Sequence, residues 1–70
     1  MLLKNKSTGK LYKIIVGKVL KPREVKKKDI TASFITAVSV ENETEEVGVV
    51  LGYKKDGTLS DKNEFTVEEE

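Results

Sequence analysis

The chain has 70 residues and a formal net charge of +1, with 37% hydrophobic and 36% charged side chains, no cysteine and no histidine. That length supports one small domain, 1–70, near the lower limit for a self-sufficient core. The missing residue types exclude disulfides, thiolate metal sites, Ser–His–Asp and Cys–His catalysis and the usual general base, so the chain reads as non-enzymatic, with no cofactor.

In chain order, residues 1–5 predict a short strand whose apolar content is Leu2 and Leu3. Lys6-Ser7-Thr8-Gly9 predicts a turn. The string Ser7-Thr8-Gly9-Lys10 lacks both the upstream glycine and the Ser/Thr that a phosphate loop needs after its lysine. Residues 10–20 predict a long strand with apolar side chains on both faces, Tyr12, Ile14, Val16 and Leu20 against Leu11, Ile15 and Val19. Such a strand is buried on both sides, in a curled barrel or at a subunit contact.

Pro22 interrupts sheet pairing, so residues 21–28 predict a basic loop, with room for one helical turn after the proline. The loop carries Lys21, Arg23, Lys26, Lys27 and Lys28, which together form a candidate anion site. Lysine supplies charge to phosphates, and arginine can clamp one with two parallel hydrogen bonds.

Residues 30–40 alternate with a period of two and are rich in β-branched side chains, which favours a strand over a helix capped by Asp29. Phe34, Val38 and Val40 predict its core face. The acidic stretch Glu41–Glu46 predicts the connection of a hairpin, and it lacks the spacing and glycine of a calcium loop. The return strand, 46–55, alternates Val47, Val49, Leu51 and Tyr53 toward the same core. That pairing leaves Ile35, Ala37, Gly48, Val50 and Gly52 on the reverse face as candidate interface residues, since small residues in a strand favour close approach by another surface. Asp56-Gly57 fits a tight type I′ hairpin turn. Residues 64–68 predict a last strand, and 68–70 an acidic tail.

The five segments predict an all-β fold: a small five-stranded antiparallel meander, curled into an SH3-like, partly open barrel or kept as a twisted sheet, with completion by oligomerisation as an option. Charge is divided along the chain, +9 in residues 1–28 and −8 in residues 29–70. The two halves either pair across the sheet or make opposite sides.

With catalysis unsupported and apolar strand faces to spare, the expected function is a stoichiometric binding module of the inhibitor or adaptor type with a protein partner, alone or as a homo-oligomer. Capture of nucleic acid or a small nucleotide on residues 21–28 is the alternative. Tyr12 and Phe65 are the aromatic side chains this reading leaves for stacking bases, and the basic–aromatic interleaving of an RNA-recognition module is missing. No apolar run reaches membrane-spanning length, and the expected location is cytoplasmic. In composition the chain resembles small accessory proteins of bacteria and their phages, without any diagnostic motif.

Overall fold

The computed structural model describes residues 1–68. Five antiparallel strands form one sheet: β1 (Leu2–Asn5), β2 (Leu11–Val16), β3 (Ala32–Ser39), β4 (Glu46–Gly52) and β5 (Phe65–Glu68), with one helix, α1 (Pro22–Lys28), between β2 and β3. The spatial order is β4-β3-β2-β1-β5. The first four strands are a meander, and β5 then crosses back to pair with β1. The sheet is strongly curled into an open half-barrel. Glu68 belongs to β5, so the expected tail at 68–70 begins inside a strand, and its last two residues lie outside the described residues.

Leu3, Tyr12, Ile35, Ala37, Val49 and Leu51 form the buried cluster on the concave side, with Ile14, Val19, Val47, Leu59, Phe65 and Val67 packed around it. Burial of each large apolar side chain contributes about 1.5–3 kcal/mol. Tyr12 and Phe65 meet edge to face, with ring centroids 5.6 Å apart, a geometry suited to the aromatic quadrupole. The two rings expected to be free for stacking are therefore engaged with each other.

The expected core face of β3 is inverted at Phe34 and Val40, which are exposed, while Val38 is buried as expected, at 7%. Register pairs Phe34 with Val50 and Ile35 with Val49, so Ile35 and Ala37 join the Val47–Val49–Leu51 face while Phe34 leaves it. Ile35 is 2% exposed and Phe34 79%. In a curled sheet the concave side has little volume, so Ala37 and Ser39 fit there and a phenylalanine ring does not. This corrects the interface assignment at Ile35 and Ala37, which are core residues. Gly52 is half-buried, with its backbone bound to Asn63 and Ser60. Gly48 and Val50 do lie exposed on the convex side.

Three local corrections follow from backbone geometry. β2 ends at Val16 instead of reaching Leu20, because a bulge between Ile14 and Val16 is followed by Gly17 at φ 90°. A Cβ on Gly17 would stand 2.7 Å from the Phe34 carbonyl oxygen. Residues 22–28 are a two-turn helix instead of a loop. Pro22 opens it, Glu24 lies in its first turn and Lys26, Lys27 and Lys28 in its last, an arrangement that complements the helix dipole. Asp29 ends it in the left-handed conformation, with Asp29 N–H on Lys26 C=O and Ile30 N–H on Val25 C=O, the bonds of a Schellman cap. Finally, Asp56 does not take the positive φ that a type I′ turn needs. Gly57 alone does (φ 88°), with Gly57 N–H on Lys54 C=O at 2.9 Å and Lys54 N–H on Thr58 C=O at 2.7 Å, and across this turn the chain pairs only through the isolated bridge Tyr53–Leu59.

The inverted face gives a direct contrast. Ile35→Ala is expected to cost about 2–5 kcal/mol, and Phe34→Ala about 0.5 kcal/mol or less, by urea denaturation. Equal losses at the two positions would reject the register.

Candidate functional site

Two surfaces carry the residues singled out in the sequence. The first is the convex face of β2, β3 and β4. Phe34 stands opposite Val50, and Thr36 stands between Gly48 and Val16. The bulge sets both Ile15 and Val16 against Thr36, and both are solvent-exposed, Val16 at 62%. Val50 is 55% exposed. Phe34, Val50, Ile15 and Val16 thus surround a low centre made by Thr36 and Gly48. Leaving a phenylalanine in water forgoes about 1.5–3 kcal/mol of burial, and clustered exposed apolar side chains of this kind mark interaction sites.

The second surface is α1. Val25 is its single buried residue. Arg23 and Lys27 fall on the helix face opposite Val25 and Lys26 on its flank, by the 100° step between successive residues, and the three line a shallow hollow of about 500 Å³ with Pro22. Lys21 precedes the helix, and Lys28 falls on the flank beside Glu24. Glu24 is itself engaged by Lys18 at 3.5 Å. Among the described residues, none of Lys21, Arg23, Lys26, Lys27 or Lys28 is in an ion pair. The five candidate cations are therefore not gathered at one point: three line one hollow, and the other two are set apart.

Lys54 and Lys55 were not legible as part of this surface. They line a second hollow, of about 360 Å³, together with Lys26, Val25, Tyr53 and the carboxylate-bearing Asp29, and Lys54 is engaged by Asp61 at 3.4 Å. What brings them there is the close approach of Gly57 to Pro22, where a Cβ would fall 2.7 Å from Pro22 Cα. No local signal in the sequence joins positions so far apart. Tyr53 fixes the wall of this hollow, its hydroxyl accepting from Leu20 N–H at 3.1 Å and sharing a 2.8 Å bond with Ser33 Oγ.

The acidic stretch has a different role. Glu45 meets Lys10 and Glu43 meets Lys13, each at 3.7 Å, so the β3–β4 connection pairs with a lysine of β2 and the one just before it, while the helix keeps its charge outward. The divided charge of the sequence is thus partly paired and partly displayed. These exposed pairs are each worth about 0–1 kcal/mol.

Comparison with protein-family models, with curated proteins and with solved structures finds no match to this chain. The functional reading rests on the geometry of the chain's own residues.

Asp56 holds the turn that carries Lys54 and Lys55. Its carboxylate accepts from the Thr58 hydroxyl at 2.6 Å and the Thr58 N–H at 2.9 Å. These bonds, with a smaller contribution from Lys54 and Lys26, hold its pKa below the ordinary aspartate value. Because the folded value is depressed, the stabilisation is complete above the unfolded pKa and is lost as pH falls through the folded one. In an NMR titration the Thr58 amide shift is expected to track Asp56 with a midpoint below that of a free aspartate. A midpoint at or above the free value would contradict the turn geometry.

Proposed function

We propose that this protein is a non-enzymatic binding module that acts by stoichiometric association with another protein, as an inhibitor or adaptor does, through the convex face of its sheet. The observation that carries this reading is Phe34, four-fifths exposed at 79% near the start of β3, directly opposite Val50 and one register step from the Thr36–Val16 pair. A rigid aromatic ring beside β-branched side chains is the usual anchor of a protein interface, because it offers large contact area at small entropic cost. The setting we propose is the cytoplasm, since a cysteine-free chain gains nothing from an oxidising compartment. Among the described residues, no helix is long and apolar enough to cross a membrane.

Affinity capture from extract of the source cells, with wild-type and Phe34→Lys or Val50→Lys protein as bait, tests the proposal. Both side chains are exposed, so the variants are expected to keep wild-type melting temperatures within a few degrees while losing a protein that the wild type retains at a fixed molar ratio. Retention of the same proteins in the same amounts by all three baits would reject the convex face.

A second reading, binding of a phosphate-bearing ligand, draws support from the hollow lined by Arg23, Lys26 and Lys27 and its extension by Lys54 and Lys55. Tyr12 and Phe65 are packed together, and the exposed ring, Phe34, belongs to the convex face of the sheet and not to the helix. If the ligand is a polyanion, affinity for a fluorescent oligonucleotide should fall steeply with salt and drop by at least about tenfold in Lys26→Glu/Lys27→Glu, a loss of roughly 1.4 kcal/mol. Binding indifferent to both rejects this reading.

A further inference from the structure

Strand β4 forms one border of the sheet, and its outer edge is poorly guarded. It runs Glu46–Gly52 with no lysine, proline or bulge, the devices that usually blunt an exposed edge. Two bonds at its ends, Ser39 N–H to Glu45 C=O and Tyr53 N–H to Thr31 C=O, each 2.9 Å, set the alternation of the ladder. Val47, Val49 and Leu51 bond to β3, whereas Glu46, Gly48, Val50 and Gly52 turn their N–H and C=O groups outward.

At Gly52 the fold satisfies those groups itself. Asn63 Oδ1 accepts from Gly52 N–H at 2.8 Å, Asn63 Nδ2 donates to Gly52 C=O at 3.1 Å, and Ser60 N–H donates to the same carbonyl at 2.9 Å. An asparagine side chain here imitates a neighbouring strand. It stops at that residue. Gly48 and Val50 instead border an open slot of about 310 Å³ with Lys62, Glu64 and Phe65.

We propose that this edge pairs with the same edge of a second copy, antiparallel and centred on Val49. In that register Gly48 of each copy stands opposite Val50 of the other, and each such pair exchanges both of its main-chain hydrogen bonds. Gly48 has open space where a Cβ would be, which makes room for the second copy's Val50. The ladder ends naturally where Asn63 occupies Gly52.

One complementary charge pair favours a second copy, set against the like charge of Glu64 on the same slot wall. Glu46 stands at the start of the edge and Lys62 beside its far end. Both are exposed, and neither is in an ion pair among the described residues. Reversing the strand direction carries the Glu46 of each copy toward the Lys62 of the other, so the two-fold arrangement satisfies both ends at once. Glu46, Gly48 and Val50 share the convex side, so the joined sheet also brings the Phe34 patches of the two copies onto one continuous face.

The test is light scattering across a size-exclusion peak of the full chain over a range of concentrations, with amide exchange measured in parallel. The expected mass rises with concentration from the 7.8 kDa of the single chain to twice that value, and the Gly48 and Val50 amides exchange more slowly as it does. Glu46→Lys and Lys62→Glu are each expected to weaken the dimer by about tenfold, and the double exchange to restore it, as coupled charges require. A mass of 7.8 kDa at every concentration overturns the proposal. So does a dimer that ignores both single reversals, or one that the double exchange fails to restore. Amide exchange on the unaltered chain reads the edge directly, whether or not any variant folds.

Discussion

The register of β3 against β4 decides which side chains of this protein are structure and which are surface. Side chains alternate across a strand, so a slip of one residue would exchange the two faces completely. With Ile35 opposite Val49 and Ala37 opposite Val47, the concave side receives one bulky and one small residue from β3 against two valines of β4. That distribution suits a sheet that closes on itself. The inside of a tight curl has less volume than the outside, and Phe34 goes to the outside.

Two glycines then set where the helix can lie. Gly17 follows the β2 bulge at a positive φ, against the backbone of β3, and turns the chain out of the sheet before Pro22 starts α1. Gly57 brings the Lys54–Thr58 turn against the first residue of that helix. A side chain at either glycine would meet backbone atoms, which cannot move aside as a flexible side chain can. Through these two contacts α1 is held by Val25 on its inner side, and its cations are left to solvent. Lys54 and Lys55, from the acidic half of the sequence, are carried to the same end.

The convex apolar face and the basic helix are built from different elements and answer to different physics. Contact on the first would be governed by area and shape, and would respond weakly to salt. Contact on the second would be governed by charge, and would be screened within about 10 Å at 0.1 M salt. The β4 edge borders the first surface and adds directional main-chain bonding, which a flat apolar patch cannot supply. A stoichiometric binder gains from that combination: apolar area provides affinity, and hydrogen-bonded edges fix orientation.

Composition and periodicity alone determined a small all-β chain, its five strand segments, the acidic hairpin between Val40 and Val47, and the absence of histidine and cysteine chemistry. They did so because alternation and turn residues are local properties, visible within a few positions. Which face of β3 turns inward was not legible, since Ile35, Ala37 and Ser39 look weaker than Phe34, Val38 and Val40 until the curvature of the sheet limits the space available. The length of α1 was hidden by its lysines. Its anchor is the single Val25, and its end depends on Asp29 adopting a conformation that only Asp29's own cap bonds reveal. The meeting of Lys26 with Lys54 and Lys55, and the covering of Gly52 but not Gly48 by Asn63, were settled by tertiary structure alone. Both depend on chain segments distant in sequence meeting at the ends of the sheet, and no local pattern encodes such a meeting.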